Sequence, residues 1–405
     1  MKSRSFTSTQ LWLILGILLV AFNLRPAIMA VGPLVPLIRE DTGISNSVAG
    51  MLTTIPLLSF AVFSLIAPRL GIRFGSHVAI FGALLTLFAG MLLRATAFVP
   101  TLLIGTILIG TGIAICNVLL PSIIKLSFPY KVGLMTSLYT AGMGLFASLA
   151  SGVSVPLADN AGLGWSNALA IWGVLVLVAL IIWFPQIRQK SNSEASPAPQ
   201  KLTGAIWKEP VAWYVTLFMG FQSFLFYNTI AWLPDVLQSL GLSLVLAGWM
   251  LFLLQIISIP GNFAVPLIAA KSQDQKPIVV VICSFYIISL SGLIVLPNLP
   301  VIIISVLLMG FAQGMAFSLA LTLLGLRAST PQDASRLSGM AQSLGYLVAS
   351  IGPVFMGTLY DVFSTWQPFL YCLFIVTFFI FAFGWKASKN QYVFEKSFSS
   401  QSEAR

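Results

Sequence analysis

Between Leu11 and Trp385 the sequence is a succession of apolar runs with charge, Arg25 apart, held to the breaks between them and to the run ends. Each run is about 20 residues long, the length one helix needs to cross the hydrocarbon of a bilayer. Backbone N–H and C=O groups find no water there, so only helices or closed barrels can satisfy them. The breaks predict twelve helical spans, near 11–34, 47–67, 77–97, 99–121, 132–157, 165–185, 210–234, 244–269, 277–296, 300–324, 335–358 and 366–385. A soluble core is excluded by composition. The chain is 58% hydrophobic and 8% charged, against about 25% charged in ordinary soluble domains. The first run is too long for the apolar stretch of a cleavable leader and is expected as a first span. The fold class is therefore all-α integral membrane, with the lipid bilayer as its solvent.

One break differs from the others. Residues 186–209, QIRQKSNSEASPAPQKLTGAIWKE, are rich in Ser, Pro and charge, as a linker is. They divide the chain into an N-terminal half (1–185), a linker (186–209), a C-terminal half (210–385) and a tail (386–405). The halves echo each other. Gly144 and Trp165 stand at the same interval as Gly345 and Trp366, within the small-residue stretches AGMGLFASLASG and GMAQSLGYLVASIGP. Gly110, Gly112 and Ala114 have counterparts in Gly310, Gly314 and Ala316. Small residues let membrane helices approach closely, and a repeat of six spans plus six is the layout of a transporter that rocks about a site between its halves.

Charge sets the orientation. With the N-terminus inside, all of the 21 Lys and Arg residues except Arg25, Arg39 and Arg94 fall on the cytoplasmic side. Both termini and the linker are then expected in the cytoplasm. The net charge of +10 is dispersed between apolar runs, so it reads as membrane anchoring and not as a nucleic-acid surface. Cys116, Cys283 and Cys372 lie in apolar segments without ligand-like spacing, and His77 is the single histidine. No metal, cofactor or disulfide set is expected. Nor is an enzyme: there is no Walker loop, metal cluster or nucleophile–base pair.

Four stretches, FNLRP (22–26), GTGIAICNVLLPSIIKLSFP (110–129), GLMTSLYTAGMG (133–144) and FQSFLFYNTIAWLP (221–234), together with the twelve-span layout, resemble the major facilitator superfamily. Within it they resemble the branch of cyanate and 2-nitroimidazole transporters. The resemblance implies a cell-membrane location, that of a bacterium, and a conformational loop between spans two and three. Here PRLGIRFG (68–75) occupies that loop. Arg73 and Gly75 match the superfamily pattern, with Arg69 nearby, but Ile72 stands where an acidic residue is usual. The latch that residue normally forms is in doubt, and simple anchoring explains Arg69 and Arg73 as well.

Arg25 stands in the first span with Pro26 directly behind it. It lies roughly 14 residues in, about 20 Å at helical rise. Three readings compete: snorkelling to an interface, pairing with a buried acid, or facing a water-filled cavity where it receives an anion. Snorkelling is disfavoured by depth. Pairing is disfavoured because the acidic residues lie near loops or span ends, with Glu40, Asp41, Asp159, Asp235 and Asp361 on the outer side. The cavity reading is preferred, with Asn23 as a second polar group. Asn117, Tyr139, Gln222, Tyr227, Gln313, Gln342 and Tyr346 join it as candidate substrate-binding residues. Singly, each is matched by a helix–helix hydrogen bond. Jointly, they fall in spans that line the cavity in this superfamily, while spans three, six, nine and twelve carry no comparable group.

The expected function is a secondary transporter that moves a small anionic or acceptor-rich solute by alternating access, acting as a monomer. A proton carried by the solute and plain uniport are both compatible with the missing mid-membrane acid. A multidrug-type efflux pump is the alternative, and a non-transporting membrane receptor is a further one. The orientation has a direct test. A cysteine at Ser193 should escape an impermeant thiol reagent in intact cells and react once the membrane is permeabilised. Labelling in intact cells would place the linker outside.

Overall fold

The computed structural model describes residues 8–128, 132–188, 206–328 and 331–393. The expected linker is therefore described only at its ends, and the tail only to Val393. The described residues are almost entirely helical, with a single isolated bridge between Ala328 and Val393 outside the helices. The first expected span is three helices, α1 (Ser8–Asn23), α2 (Pro26–Met29) and α3 (Val31–Thr42). There follow α4 (Asn46–Phe74), α5 (Ser76–Arg94), α6 (Val99–Ser127) and α7 (Val132–Ala158). The sixth span is α8 (Gly164–Ala170) and α9 (Gly173–Trp183). The second half of the sequence gives α10 (Pro210–Ser239), α11 (Leu244–Lys271), α12 (Lys276–Val295), α13 (Leu299–Leu326), α14 (Pro331–Phe363) and α15 (Gln367–Ala387).

Eleven helical stretches among the described residues are long and apolar enough to cross a membrane. The remaining expected span, α10, has the length but not the apolarity. Gln222, Ser223, Tyr227, Asn228 and Trp232 dilute it, yet those residues and most of its others are buried. A polar helix in a membrane protein belongs where protein covers it, because lipid offers its hydrogen-bonding groups nothing.

The chain divides into two compact units. Unit 1 is Met1–Ile44, Met51–Pro199 and Leu244–Phe252; unit 2 is Ser45–Gly50, Gln200–Ser243 and Leu253–Arg405. Two short helix ends are thus grouped apart from their own halves of the sequence. The start of α4 is in unit 2 because Asp361 on α14 receives its first backbone donors: Asn46 N–H at 3.1 Å and Ser47 N–H at 2.8 Å, plus Asn46 Nδ2 at 2.7 Å. A carboxylate at a helix N-terminus meets orphan N–H groups and the positive end of the helix dipole. The start of α11 is in unit 1, where Trp249 and Phe252 cover Gly152 of α7.

In unit 1, α5 and α6 pack with their backbones nearly touching. A Cβ on Gly90 would lie 2.6 Å from the Gly105 carbonyl oxygen, and one on Gly105 would lie 2.5 Å from that of Gly90. In unit 2 the tightest backbone approach is between α13 and α11, where a Cβ on Gly310 or Gly314 would enter the carbonyls of Leu254 and Ser258. Gly345 meets Gly220 less closely, at 3.5 Å between the built Cβ and Cα. The small residues of α13, more than Gly345, set how near backbones come in unit 2.

Arg327, just past α13, staples that unit at one end. Its Nε donates to the Ala387 carbonyl at 2.8 Å and its Nη2 to that of Ser388 at 2.9 Å, with Gln275 Oε1 as a third acceptor. The acceptors are the last carbonyls of α15, which the helix itself cannot satisfy. Burial lowers the pKa of this guanidinium, while Tyr392 and Asp274 act the other way.

Candidate functional site

The first span breaks where its sequence says it must. Proline lacks the N–H that would bond four residues back, and its ring crowds that carbonyl. Accordingly α1 stops at Asn23, and Arg25 becomes the residue before α2, with φ −122° and ψ −37° and with Pro26 in the first helical position. Its carbonyl restarts the ladder by accepting from Ile28 and Met29, both at 3.0 Å. The break places a cation, half-buried, at an interruption of the backbone. Asn117 on α6 and Tyr139 on α7, also in unit 1, are half-buried too.

Asn23 sits differently. It is 1% exposed. Its Nδ2 donates to the Leu19 carbonyl at 2.7 Å and to the Leu175 carbonyl of α9 at 3.1 Å. Both of its donors are spent on fastening the end of α1 to α9, which makes it a support for the break.

Unit 2 carries the other expected residues. Gln222 is buried and donates to Ser223 Oγ at 2.7 Å. Tyr227 and Tyr346, from α10 and α14, meet edge-on with ring centres 6.4 Å apart. Gln342 is half-buried and bonds Ser338 Oγ at 2.8 Å. Gln313 on α13 is 2% exposed, yet neither its Nε2 nor its Oε1 has a partner among the described residues. Asn228 donates to Phe224 at 2.7 Å while its buried Oδ1 is likewise unpartnered. A buried amide with both ends idle costs about 1–3 kcal/mol per group, and protein interiors seldom carry one without a use for it.

The loop residues lie at the end of α4. Arg69 and Arg73 are exposed, the Arg73 guanidinium rests 5.2 Å above the Phe74 ring, and Gly75 turns the chain into α5 at φ 85°. Two residues lie elsewhere than their sequence positions implied. Arg94, counted with the loops of the non-cytoplasmic side, is 3% exposed, and its Nη1 donates to the Ala27 carbonyl at 2.7 Å. Asp235, expected at a span end, is buried inside α10, which runs on to Ser239. Asp159 and Asp361 are exposed. Among the described residues no group of His, Cys, Asp and Glu has the makings of a metal site.

A profile of the Major Facilitator Superfamily matches residues 13–353. The chain belongs to the major facilitator superfamily. It is 47% identical to an uncharacterized transporter of Bacillus subtilis, over 95% of either chain. It is 39% identical to a 2-nitroimidazole transporter of Escherichia coli, over 94% of this chain and 96% of that one. A cyanate transport protein of the same organism is 27% identical, over 86% and 90%. The solved structure of a D-xylose–proton symporter shares the fold with a TM-score of 0.75 at 16% identity, covering 93% of this chain and 96% of that one. This superfamily member is thus a multi-pass secondary transporter of the cell membrane, from the branch of those two Escherichia coli relatives, with a small-molecule substrate and no enzymatic activity.

Buried polar residues of this transporter should separate by the sign of their effect on stability. Gln313→Leu removes two unpartnered groups, so the melting temperature should hold or rise while solute affinity falls. Asn23→Leu removes two made hydrogen bonds, each worth about 0.6 kcal/mol in a membrane protein, so the melting temperature should fall. Thermal denaturation of both purified variants checks this. A destabilised Gln313→Leu would mean that the amide is structural.

Proposed function

We propose that this transporter moves a small anionic or acceptor-rich polar solute by alternating access, with Arg25 as the main electrostatic determinant of binding. The observation that carries the reading is a half-buried guanidinium at the interruption of the first span, between α1 and α2. A cation there attracts an acceptor more strongly than one in bulk water, because the effective dielectric is lower. Within unit 2, the idle amide of Gln313, the oxygen of Asn228 and the Tyr227–Tyr346 pair are neutral polar and aromatic groups. Cyanate is a small anion, and a nitro group is an acceptor pair on a flat ring. Both named solutes of the relatives therefore fit this chemistry. The termini are placed in the cytoplasm by the distribution of basic residues, the transporter acts as a monomer, and Asp235 is the acid to examine if a proton accompanies the solute.

Arg25→Ala should lose solute binding roughly 10- to 150-fold, the worth of a hydrogen bond to a charged group. Arg25→Lys should recover only part of it, since lysine keeps the charge without the planar two-pronged donor set. Solute affinity and melting temperature, measured together for the parent and both variants, decide the matter. Parent-like binding by a folded Arg25→Ala would remove Arg25 from the site. Failure of that variant to fold would make Arg25 structural.

A further inference from the structure

Arg94 is the last residue of α5, and its charge is enclosed by unit 1. Glycine makes the enclosure possible: a Cβ on Gly105 of α6 would lie 2.9 Å from Arg94 Cγ. The side chain passes that gap and donates through Nη1 to the Ala27 carbonyl of α2, at 2.7 Å. Nε and Nη2 remain. Both are buried, and neither has an acceptor among the described residues. These two nitrogens form the side-on edge of the guanidinium, where two N–H bonds run parallel.

No carboxylate answers the charge. Among the described residues Arg94 makes no ion pair. Of the described acids of unit 1, Asp41 accepts from Trp165 Nε1 at 2.9 Å, while Glu40 and Asp159 are exposed. A second idle donor belongs to the same region. Trp172 Nε1 is buried without an acceptor. Its neighbour Gly173 faces Phe88 and Met91 of α5, with a built Cβ 3.5 Å from Phe88 and 3.8 Å from Met91 Sδ. Met91 is one helical turn before Arg94. The idle groups of Arg94 and Trp172 are N–H donors only. A water molecule would take up donors but leave the positive charge uncompensated. An anion does both.

We infer that the Nε–Nη2 edge of Arg94 holds a small planar monovalent oxyanion of the nitrate, nitrite or formate type, in a buried site of unit 1. Two oxygens of such an anion match the two parallel N–H bonds, whereas a spherical halide meets them with one centre. The site stands on Arg94, Ala27 and Gly105 and does not require that Arg25 bind the transported solute.

The test is thermal denaturation of the purified full chain in detergent with gluconate as the bulk anion. Sodium nitrate or sodium formate is titrated against sodium chloride at equal ionic strength. The parent and Arg25→Ala should both show a saturable rise in melting temperature, larger with nitrate or formate than with chloride. Arg94→Met, made in the Arg25→Ala protein so that the transported-solute site adds nothing, should lose the rise. Arg94→Lys, which keeps the charge, should fold but lose the preference for the planar anion, with nitrate affinity down roughly tenfold or more. A rise that vanishes in Arg25→Ala would assign the anion to Arg25 and overturn the Arg94 site. So would equal responses to nitrate and chloride in the parent, or a planar preference that survives in Arg94→Lys. If Arg94→Met does not fold, the Arg25→Ala and Arg94→Lys arms decide.

Discussion

Hydrocarbon cannot hydrogen-bond, and that constraint organises this protein. Each place where a helix is interrupted or a polar side chain enters the membrane must find its partner inside the protein. The break at Pro26 shows the response in detail. Asn23 fastens the end of α1 to α9 through the Leu175 carbonyl, Arg25 restarts the ladder, and Arg94 reaches in from α5 to the Ala27 carbonyl. Elsewhere the same demand is met by hydroxyls folded back on their own helix, as Thr106 does to Leu102 and Thr377 to Leu373. Trp232 meets it across helices, donating to the Pro353 carbonyl at 3.0 Å. Polar groups that have no such partner stand out against this background.

In unit 1 these groups include two nitrogens of the Arg94 guanidinium and Trp172 Nε1; in unit 2 they include the amide of Gln313 and the oxygens of Asn228 and Tyr286. The helix that carries the largest share of unit 2's polar residues, α10, is also the one whose own apolarity falls short of a membrane span. Burial by its neighbours α14, α15 and α13 makes up the difference.

The spans were legible because length and apolarity act locally: a run long enough to cross hydrocarbon declares itself without knowledge of its neighbours. The break at Pro26 was legible for the same reason, since proline's effect is confined to its own turn. What escaped was set by tertiary partners. Arg94 and Asp235 lie near the ends of apolar runs, where sequence implies water, but packing encloses both. Asn23 looked like a site residue because nothing local reveals Leu175 as its acceptor. The role of Arg327 is hidden in the sequence for a similar reason: its acceptors belong to the loop at Gln275 and the end of α15. The repeat of Gly144 and Gly345 drew attention to α7 and α14, while the closest backbone approach in unit 2 occurs at Gly310 and Gly314, residues the same repeat also contained.

Counterflow in proteoliposomes tests the central claim most directly, because exchange proceeds whatever ion, if any, is coupled to the solute. Vesicles containing the purified protein would be loaded with unlabelled cyanate or 2-nitroimidazole and diluted into a trace of the labelled compound. The expected result is transient accumulation of label above that in protein-free vesicles, suppressed by other small anions or nitro compounds. Absence of exchange for every anionic and acceptor-rich solute, with exchange of a hydrophobic cation instead, would contradict a site built around the half-buried charge of Arg25.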